Sequence, residues 1–246
     1  MLRIQTTRYT NSVSFIGFIL CLLLVASNTV FAIPYLQLDA DPAKYVYGEE
    51  ESIVTTDLKF TLYVLIDSTS DSFDDTTFYI SAAIVPNPGQ SAPPPDLGSY
   101  KFDSDTPIPI VGNMTYGTPP LDAYLDSKDL PGHGIYETYY HEYSFTLASA
   151  LTATPYDAQV TPGGPTYNPT GTLYYQAFDV DVSGLLHGYA MHFDLYTYKW
   201  DTKKGSYVID DFAPFSHDVL SAPVPGAVLL GMLGMGVAGI KLRKYA

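Results

Sequence analysis

Residues 58–66, LKFTLYVLI, decide the fold, because apolar side chains occupy every second position of this stretch. Lys59, Thr61 and Tyr63 lie between them. A period of two places neighbouring side chains on opposite faces of a β-strand and does not suit a helix. The stretch therefore predicts a strand with one apolar face and one mixed face.

Several other segments have the composition and alternation of strands, namely residues 78–85, 136–147, 173–182 and 191–200. Turn-forming clusters of proline and glycine separate them, at residues 86–89, 93–95, 117–120, 131–134 and 161–165. A helical pattern is present only at residues 121–125, over one or two turns. Many short strands with little helix predict an all-β fold over residues 33–220, a β-sandwich of jelly-roll or immunoglobulin-like type.

The first 32 residues have the three regions of a secretory signal peptide. Arg3 and Arg8 supply a positive start, and residues 14–25 form an apolar core that is short for a membrane span. Val30-Phe31-Ala32 presents small residues at the positions that a signal peptidase reads. We therefore expect cleavage after Ala32, and an uncleaved membrane anchor is the alternative.

The segment from residue 223 to residue 246 combines a proline turn, an apolar run and a basic end. The 18 residues from Pro223 to Ile240 contain no charge. A helix of that length reaches about 27 Å, close to the ~30 Å hydrocarbon core of a bilayer. Lys241, Arg243 and Lys244 then favour the cytoplasmic side. We expect a membrane-spanning helix at about residues 226–240. This helix is either part of a segment that is later removed by cleavage or, as the alternative, a plain membrane anchor that is never cleaved.

Charge separates the ends of the chain from its middle. All 26 Asp and Glu residues lie between the two apolar ends, where seven of the 12 Lys and Arg residues also lie. The middle therefore carries a formal charge of −19. This charge disfavours nucleic acid, which needs a cationic partner, and it suits a soluble surface protein or one that collects cations. The one cysteine, Cys21, lies in the predicted signal peptide, so we expect no disulfide in the mature chain.

Acidic residues are the candidate ligands for calcium, the one cofactor that the sequence suggests. Aspartates recur two apart, which places both on one face of a strand: Asp39/Asp41, Asp103/Asp105 and Asp179/Asp181. A denser run lies in a predicted loop and comprises Asp67, Asp71, Asp74 and Asp75. We take this run and the pair Asp179/Asp181 as the calcium candidates. We expect these carboxylates to be solvated loop and edge-strand charge with no bound cofactor, which also discourages aggregation, and calcium binding is the alternative.

Catalytic patterns are weak, and the sequence predicts no enzyme. Ser216-His217-Asp218 contains the residue types of a hydrolase triad, but neighbours on an extended segment point to opposite faces. Glu137 and Glu142 are five apart, so on one regular strand they do not flank a single glycosidic bond. The histidines show no zinc-binding spacing, and we expect His141 and His192 to be partly buried with their hydrogen bonds satisfied.

The C-terminal segment resembles the PEP-CTERM sorting signal of bacterial proteins that an exosortase processes. Pro223-Val224-Pro225 stands where that signal has Pro-Glu-Pro, Gly226 opens the apolar span, and residues 241–244 form the basic end. Val224 replaces the usual glutamate, which bears on the exosortase variant that would read the tail. The resemblance covers about a tenth of the chain. It implies export by the Sec machinery, a membrane-held intermediate and cleavage by an exosortase.

Residues 188–196 with residues 212–218 resemble the "choice-of-anchor" ectodomains that carry such tails. This second resemblance bears on architecture and not on activity. From the two terminal signals, the acidic middle and the weak catalytic patterns, we expect a secreted, non-enzymatic protein of the cell surface or extracellular matrix, associated with exopolysaccharide in a biofilm. A carbohydrate- or calcium-binding sandwich is the alternative function. The 22 tyrosines of the chain either form a cross-strand ladder that stabilises the sheet or form an exposed platform on which sugar rings stack. A secreted hydrolase is the third and least supported function.

Overall fold

A computed structural model describes residues 33–46, 52–67, 76–91, 95–118, 137–147, 150–214 and 218–221. The predicted signal peptide, the sorting segment 223–246 and the helical pattern at 121–125 lie outside these residues. Within the described ranges, no helix is long and apolar enough to cross a membrane.

The first sheet contains six strands in the order β1-β4-β11-β6-β7, with β10 also pairing to β11. Its strands are β1 (Leu36–Asp41), β4 (Lys59–Asp67), β6 (Ser99–Phe102), β7 (Ile108–Pro109), β10 (Leu151–Ala153) and β11 (Leu173–Asp181). All pairs in this sheet are antiparallel. The central pair is β4 with β11, which run side by side over nine residues each.

The second sheet contains eight strands in the order β2-β3-β14-β12-β5-β9-β8, with β13 also pairing to β12. Its strands are β2 (Lys44–Val46), β3 (Ser52–Thr55), β5 (Phe78–Val85), β8 (Thr115–Gly117), β9 (Thr138–Phe145), β12 (Ala190–Asp201), β13 (Ser206–Phe212) and β14 (Val219–Ser221). The pair β14–β3 is parallel, and the other pairs are antiparallel.

The prediction of an all-β fold is confirmed. Each of the five segments predicted from periodicity forms a strand, namely β4, β5, β9, β11 and β12. The helical element of the described residues is the single turn α1 (Ile110–Asn113), in which Val111 and Gly112 have non-helical backbone angles. The strands that periodicity did not indicate are short, or lie in stretches where polar residues interrupt the apolar pattern.

Aromatic side chains join the inner faces of the two sheets. The ring of Phe60 on β4 lies 6.1 Å from that of Phe193 on β12, in an edge-to-face arrangement. Phe102 on β6 stacks on Tyr143 of β9 at 4.0 Å between centroids. Such pairs add to the burial of apolar area, which is the main favourable term in folding. The sheets therefore pack face to face around an aromatic core, as in a sandwich.

Strand β12 is the centre of the second sheet. Strand β5 pairs with it along one edge from Ala190 to Thr197. The other edge is divided, because β14 pairs with residues 191–193 and β13 pairs with residues 196–201. A bulge between Tyr196 and Tyr198 marks the pairing with β13. This arrangement brings the last described strand, β14, alongside the centre of the sheet.

We expect Phe193→Ala to destabilise the protein by about 3–5 kcal/mol, because it removes a fully buried ring and leaves a cavity between the sheets. Urea denaturation of the full chain measures this free energy. Phe212→Ala is the matched control, since Phe212 is 37% exposed, and we expect it to cost at most about 1 kcal/mol. Equal losses in the two variants would contradict the packing described for β12.

Candidate functional site

The outer face of the second sheet, which points away from the sandwich core, carries the largest group of buried polar side chains among the described residues. Strand alternation sends Phe193 and Leu195 inward and sends His192 and Asp194 outward. Asp194 lies directly opposite Ser81 on β5. On its other side lies Asp218, the residue before β14, whose carbonyl accepts a hydrogen bond from the Ile53 amide of β3.

His192, Asp194 and Asp218 form a compact buried cluster, which we call the His-Asp cluster. The Nε2 atom of His192 lies 3.1 Å from Oδ1 of Asp194 and 3.7 Å from Oδ2 of Asp218. One ligand-type atom from each residue falls within 4.8 Å of the other two. The three residues are 6%, 3% and 1% exposed, so the cluster is closed to bulk solvent.

Electrostatics favour a cation at the His-Asp cluster. Burial alone would lower the pKa of His192, but the carboxylates of Asp194 and Asp218 outweigh this effect and raise the pKa to about 10. The imidazole is therefore protonated at neutral pH when a proton is the only cation present. Two carboxylates beside one imidazole can hold either a proton on that imidazole or a metal ion. Because the three side chains are buried, a large substrate cannot reach them.

A second polar group lies next to the His-Asp cluster on the same face. Glu142 of β9 lies opposite Ser81, and its Oε2 atom accepts hydrogen bonds from the hydroxyls of Tyr196 (2.6 Å) and Tyr198 (2.8 Å). Burial, followed by the charges of its neighbours, raises the pKa of Tyr196 well above its usual value. Glu142 is thus held as an acceptor between two tyrosines, in an arrangement that stabilises the sheet.

The tyrosines on this face form a cross-strand ladder. Tyr79 of β5 stacks on Tyr196 with centroids 6.1 Å apart and contacts Tyr198 at 4.5 Å. Tyr196 is fully buried, so these rings pack on one another and on the sheet. An exposed pair continues the row, since Trp200 (52% exposed) meets Tyr207 (43% exposed) edge-to-face at 5.2 Å.

The predicted aspartate pairs meet on the first sheet. An open cleft of about 610 Å³ is lined by five aspartates and two lysines, namely Asp41, Asp103, Asp105, Asp179, Asp181, Lys59 and Lys101. Strand register produces this convergence, because Asp179 of β11 faces Thr61 of β4, which in turn faces Asp41 of β1. The aspartates of three separate sequence motifs thus share one acidic cleft.

Within the acidic cleft, Asp181 is already bound by other groups. Its Oδ1 atom accepts hydrogen bonds from the hydroxyl and amide of Ser183, and Lys59 lies 3.1 Å from Oδ2. The hydrogen bond from the Ser183 hydroxyl, with further help from Lys59, lowers the pKa of Asp181 to about 2. Asp179 is exposed and points into the cleft. The pair therefore presents one carboxylate in a salt bridge and one facing solvent.

Asp39 departs from its pair and is completely buried. Its carboxylate accepts hydrogen bonds from the Tyr156 hydroxyl (2.7 Å) and from the amides of Gly163 (3.1 Å) and Gly164 (2.8 Å). Burial raises the pKa of Asp39, and these hydrogen bonds oppose the rise. The side chain fastens the loop between β10 and β11 to the edge strand β1, which is a structural role.

Of the remaining predicted site residues, some lie in the described strands and others lie outside the described residues. Asp67 is the last residue of β4, and its amide donates a hydrogen bond to the carbonyl of Tyr35. The remaining calcium candidates and the predicted processing residues lie outside the described residues, namely Asp71, Asp74, Asp75, Ala32, Pro223, Val224, Pro225, Gly226, Lys241, Arg243 and Lys244. His192 is more buried than expected and is hydrogen-bonded to Asp194, while His141 is half-buried against the ring of Tyr143.

The His-Asp cluster is the feature that sequence reasoning missed. The motif His192-Phe193-Asp194 places two potential ligands on one face of a strand, and this spacing was a usable local signal. In the sequence, Asp218 stands out only as part of Ser216-His217-Asp218. Its approach to β12 depends on the pairing of β14, which spacing along the chain does not reveal.

Comparison of the chain with protein-family models, with curated proteins and with solved structures finds no match.

We expect Asp39→Asn to lower the free energy of unfolding by at least about 1–3 kcal/mol, because the amide nitrogen cannot accept hydrogen bonds from the Tyr156 hydroxyl or the glycine amides. Asp41→Asn, two residues further along β1 and exposed, is the control and should change stability by about 0.5 kcal/mol or less. Urea denaturation measures both values. An Asp39→Asn variant with an unchanged free energy of unfolding would show that this carboxylate does not hold the loop.

Proposed function

We propose that the chain is a non-enzymatic exported protein of the bacterial cell surface or extracellular matrix, sorted through residues 223–246 by an exosortase. The observation that carries the proposal is the order of features in the sorting segment, in which Pro223-Val224-Pro225 precedes an uncharged span and a basic end. The predicted signal peptide at residues 1–32 supports entry into the Sec pathway. Exopolysaccharide is the proposed environment of the displayed domain.

The described domain suits display outside the cell. Its final described strand, β14, ends at Ser221, two residues before Pro223. A tail attached there follows directly from a strand that is paired on both sides, with β12 and with β3. The chain contains one cysteine, so the domain gains its stability from sheet pairing and buried networks such as that of Asp39.

The domain itself is proposed to be a sandwich of jelly-roll or immunoglobulin-like type. Two sheets that pack through aromatic rings support this proposal, as do pairings between strands distant in the sequence, such as β12 with β5. The parallel pairing of β14 with β3 is a departure from a purely antiparallel sandwich. Two observations support the absence of an enzymatic role in this proposal. The His-Asp cluster is buried from solvent, and the carboxylate of Glu142 already accepts hydrogen bonds from Tyr196 and Tyr198.

A second candidate function is binding of calcium or carbohydrate by the displayed domain. The acidic cleft favours calcium, because carboxylates are the ligands that this ion prefers. The exposed rings of Trp200 and Tyr207 favour a sugar, which stacks on aromatic faces. Both features lie on the described surface and are compatible with a matrix protein.

Processing of the tail is tested in a bacterium that carries an exosortase. We expect mass spectrometry of the mature protein to find no peptide that extends to Ala246, because the segment after the proline motif is removed. Replacing Pro223 and Pro225 by alanine should leave the full C-terminus intact and hold the protein in the membrane. Pro162→Ala, in a loop of the sandwich, is the control and should be processed normally. A wild-type protein that retains Ala246 would contradict the sorting proposal.

Calcium binding is tested separately by thermal unfolding of the full chain with and without millimolar Ca²⁺. A ligand at 100 times its Kd adds about 2.7 kcal/mol of stability, which gives a clear upward shift of Tm. We expect Asp103→Asn combined with Asp179→Asn to remove this shift, because both side chains line the acidic cleft. Asp57→Asn, at an exposed turn, should leave the shift unchanged. No shift in the wild type would eliminate calcium as a ligand of the cleft.

A further inference from the structure

We propose that His192, Asp194 and Asp218 form a closed structural site for a divalent transition metal, with Zn²⁺ as the expected ion. The site is distinct from the acidic cleft, which lies on the other sheet. It is independent of the proposed sorting of the chain, because none of its residues lies in the tail. The proposed role of the metal is to fasten β14 to the centre of the second sheet.

The fold brings the three side chains together through two simple relations. His192 and Asp194 are two residues apart on β12, so they project from the same face. Asp218 immediately precedes β14, whose residue Val219 pairs with Phe193. Continuing that antiparallel register by one residue places Asp218 beside Asp194. Strand β12 therefore sets the positions of His192 and Asp194, and the start of β14 sets that of Asp218. Paired strands hold side chains more rigidly than loops do.

The distances suit coordination of one small ion. Zinc bonds of about 2.0–2.1 Å to nitrogen and oxygen imply about 3.3–3.4 Å between ligand atoms in a tetrahedral site. The separations from His192 Nε2 to the two carboxylates, 3.1 Å and 3.7 Å, lie on either side of that value. Small side-chain rotations would equalise them. Two of the three ligand separations are thus close to those of a tetrahedral site, and all three ligand atoms lie within 4.8 Å of one another.

The donor set identifies the class of metal. One imidazole nitrogen and two carboxylate oxygens suit Zn²⁺ and related ions, whereas calcium takes six to eight oxygen ligands. A dication with a neutral imidazole and two carboxylates has no net charge. Charge balance matters here because all three residues are buried, and buried charge that is not compensated is costly.

Ser81 is an independent observation that points to the same site. It is completely buried and lies directly opposite Asp194 on the outer face. Within the described part of the chain its Oγ atom has no hydrogen-bond partner. A buried hydroxyl normally has such a partner. A bound metal or its water ligand would provide one, with Ser81 completing or supporting the fourth coordination position.

The proposed site is of the structural kind, because its three ligands are closed to solvent. Strand β14 has only three residues and pairs with β12 over those three. A metal joining Asp218 to His192 and Asp194 would add a cross-link at this short strand. In a chain with a single cysteine, metal ligation is the available substitute for a disulfide within the molecule.

The alternative occupant of the site is a proton on His192, and the experiment distinguishes the two. Full-length protein in mild detergent is stripped with a chelator and titrated with Zn²⁺ alone, and bound metal is measured by mass spectrometry. We expect Asp194→Asn and Asp218→Asn each to weaken binding of one equivalent by more than about 100-fold. Loss of a residue that only orients a ligand costs roughly 10–100-fold. Excess Ca²⁺ should not displace the bound Zn²⁺.

Two control variants separate this site from other zinc-binding groups. His141→Gln alters a histidine on the inner face of β9, and Asp179→Asn alters the acidic cleft. Both should retain the bound equivalent. Circular dichroism of the stripped proteins shows whether the cluster variants still fold. Zinc affinity that is equally reduced in His141→Gln, or unchanged in folded Asp194→Asn, would overturn the assignment.

A measurement on the wild-type chain keeps the proposal testable if the cluster variants do not fold. With ¹⁵N-labelled histidine, coordination at Nε2 of His192 replaces the proton and shifts its ¹⁵N resonance when Zn²⁺ is added. A resonance that stays at the position of a protonated imidazole in excess Zn²⁺ would show that the cluster holds a proton only. That result would overturn the metal site and leave the sorting proposal unaffected.

Discussion

The two-residue period of β12, paired along both edges, is the constraint on which the rest of the sandwich depends. Its inward residues include Phe193, which contacts Phe60 of the opposite sheet. Its outward residues include His192 and Asp194, which belong to the buried His-Asp cluster. A shift of one residue in register would exchange these two sets and place charges in the aromatic core. The core and the polar cluster therefore specify the same register.

Both sheets use one long central strand whose second edge is shared by two short partners. In the first sheet, β11 pairs with β4 along one side and with β10 and β6 on the other. In the second, β12 pairs with β5 and with β14 and β13. Short partners contribute few backbone hydrogen bonds each, so they need additional attachments. Asp39 supplies one by holding the loop that follows β10, and Asp218 supplies another beside β14.

The sequence predicted the long strands well because their apolar residues repeat without interruption. The stretch from residue 58 to residue 66, predicted as a strand, forms most of β4 in the structure. Its pairing with β1 and β11 is a feature that the two-residue period does not specify. The short edge strands carry weaker signals. Leu36–Asp41, for example, alternates Leu36 and Leu38 with Gln37 and Asp39, but it is only six residues long. Its buried polar residues are explained by the loop that packs against them, which no local pattern shows.

The candidate sites were only partly predictable, because spacing reports which residues share a strand face and not which strands are neighbours. Asp179 and Asp181 share one face of β11 as predicted, whereas Asp103 and Asp105 follow the end of β6. The meeting of these aspartates in a single cleft follows from the order β1-β4-β11-β6. The same limit applies to Asp218, which lies 24 residues after Asp194 in the sequence, although carboxylate oxygens of the two residues lie within 4.8 Å in space. A polar residue on the outward side of a strand is normally assigned to solvent. Here the outward side at the centre of the second sheet is buried, so each polar group on it requires a partner, and the His-Asp cluster satisfies that requirement by gathering opposite charges at one position.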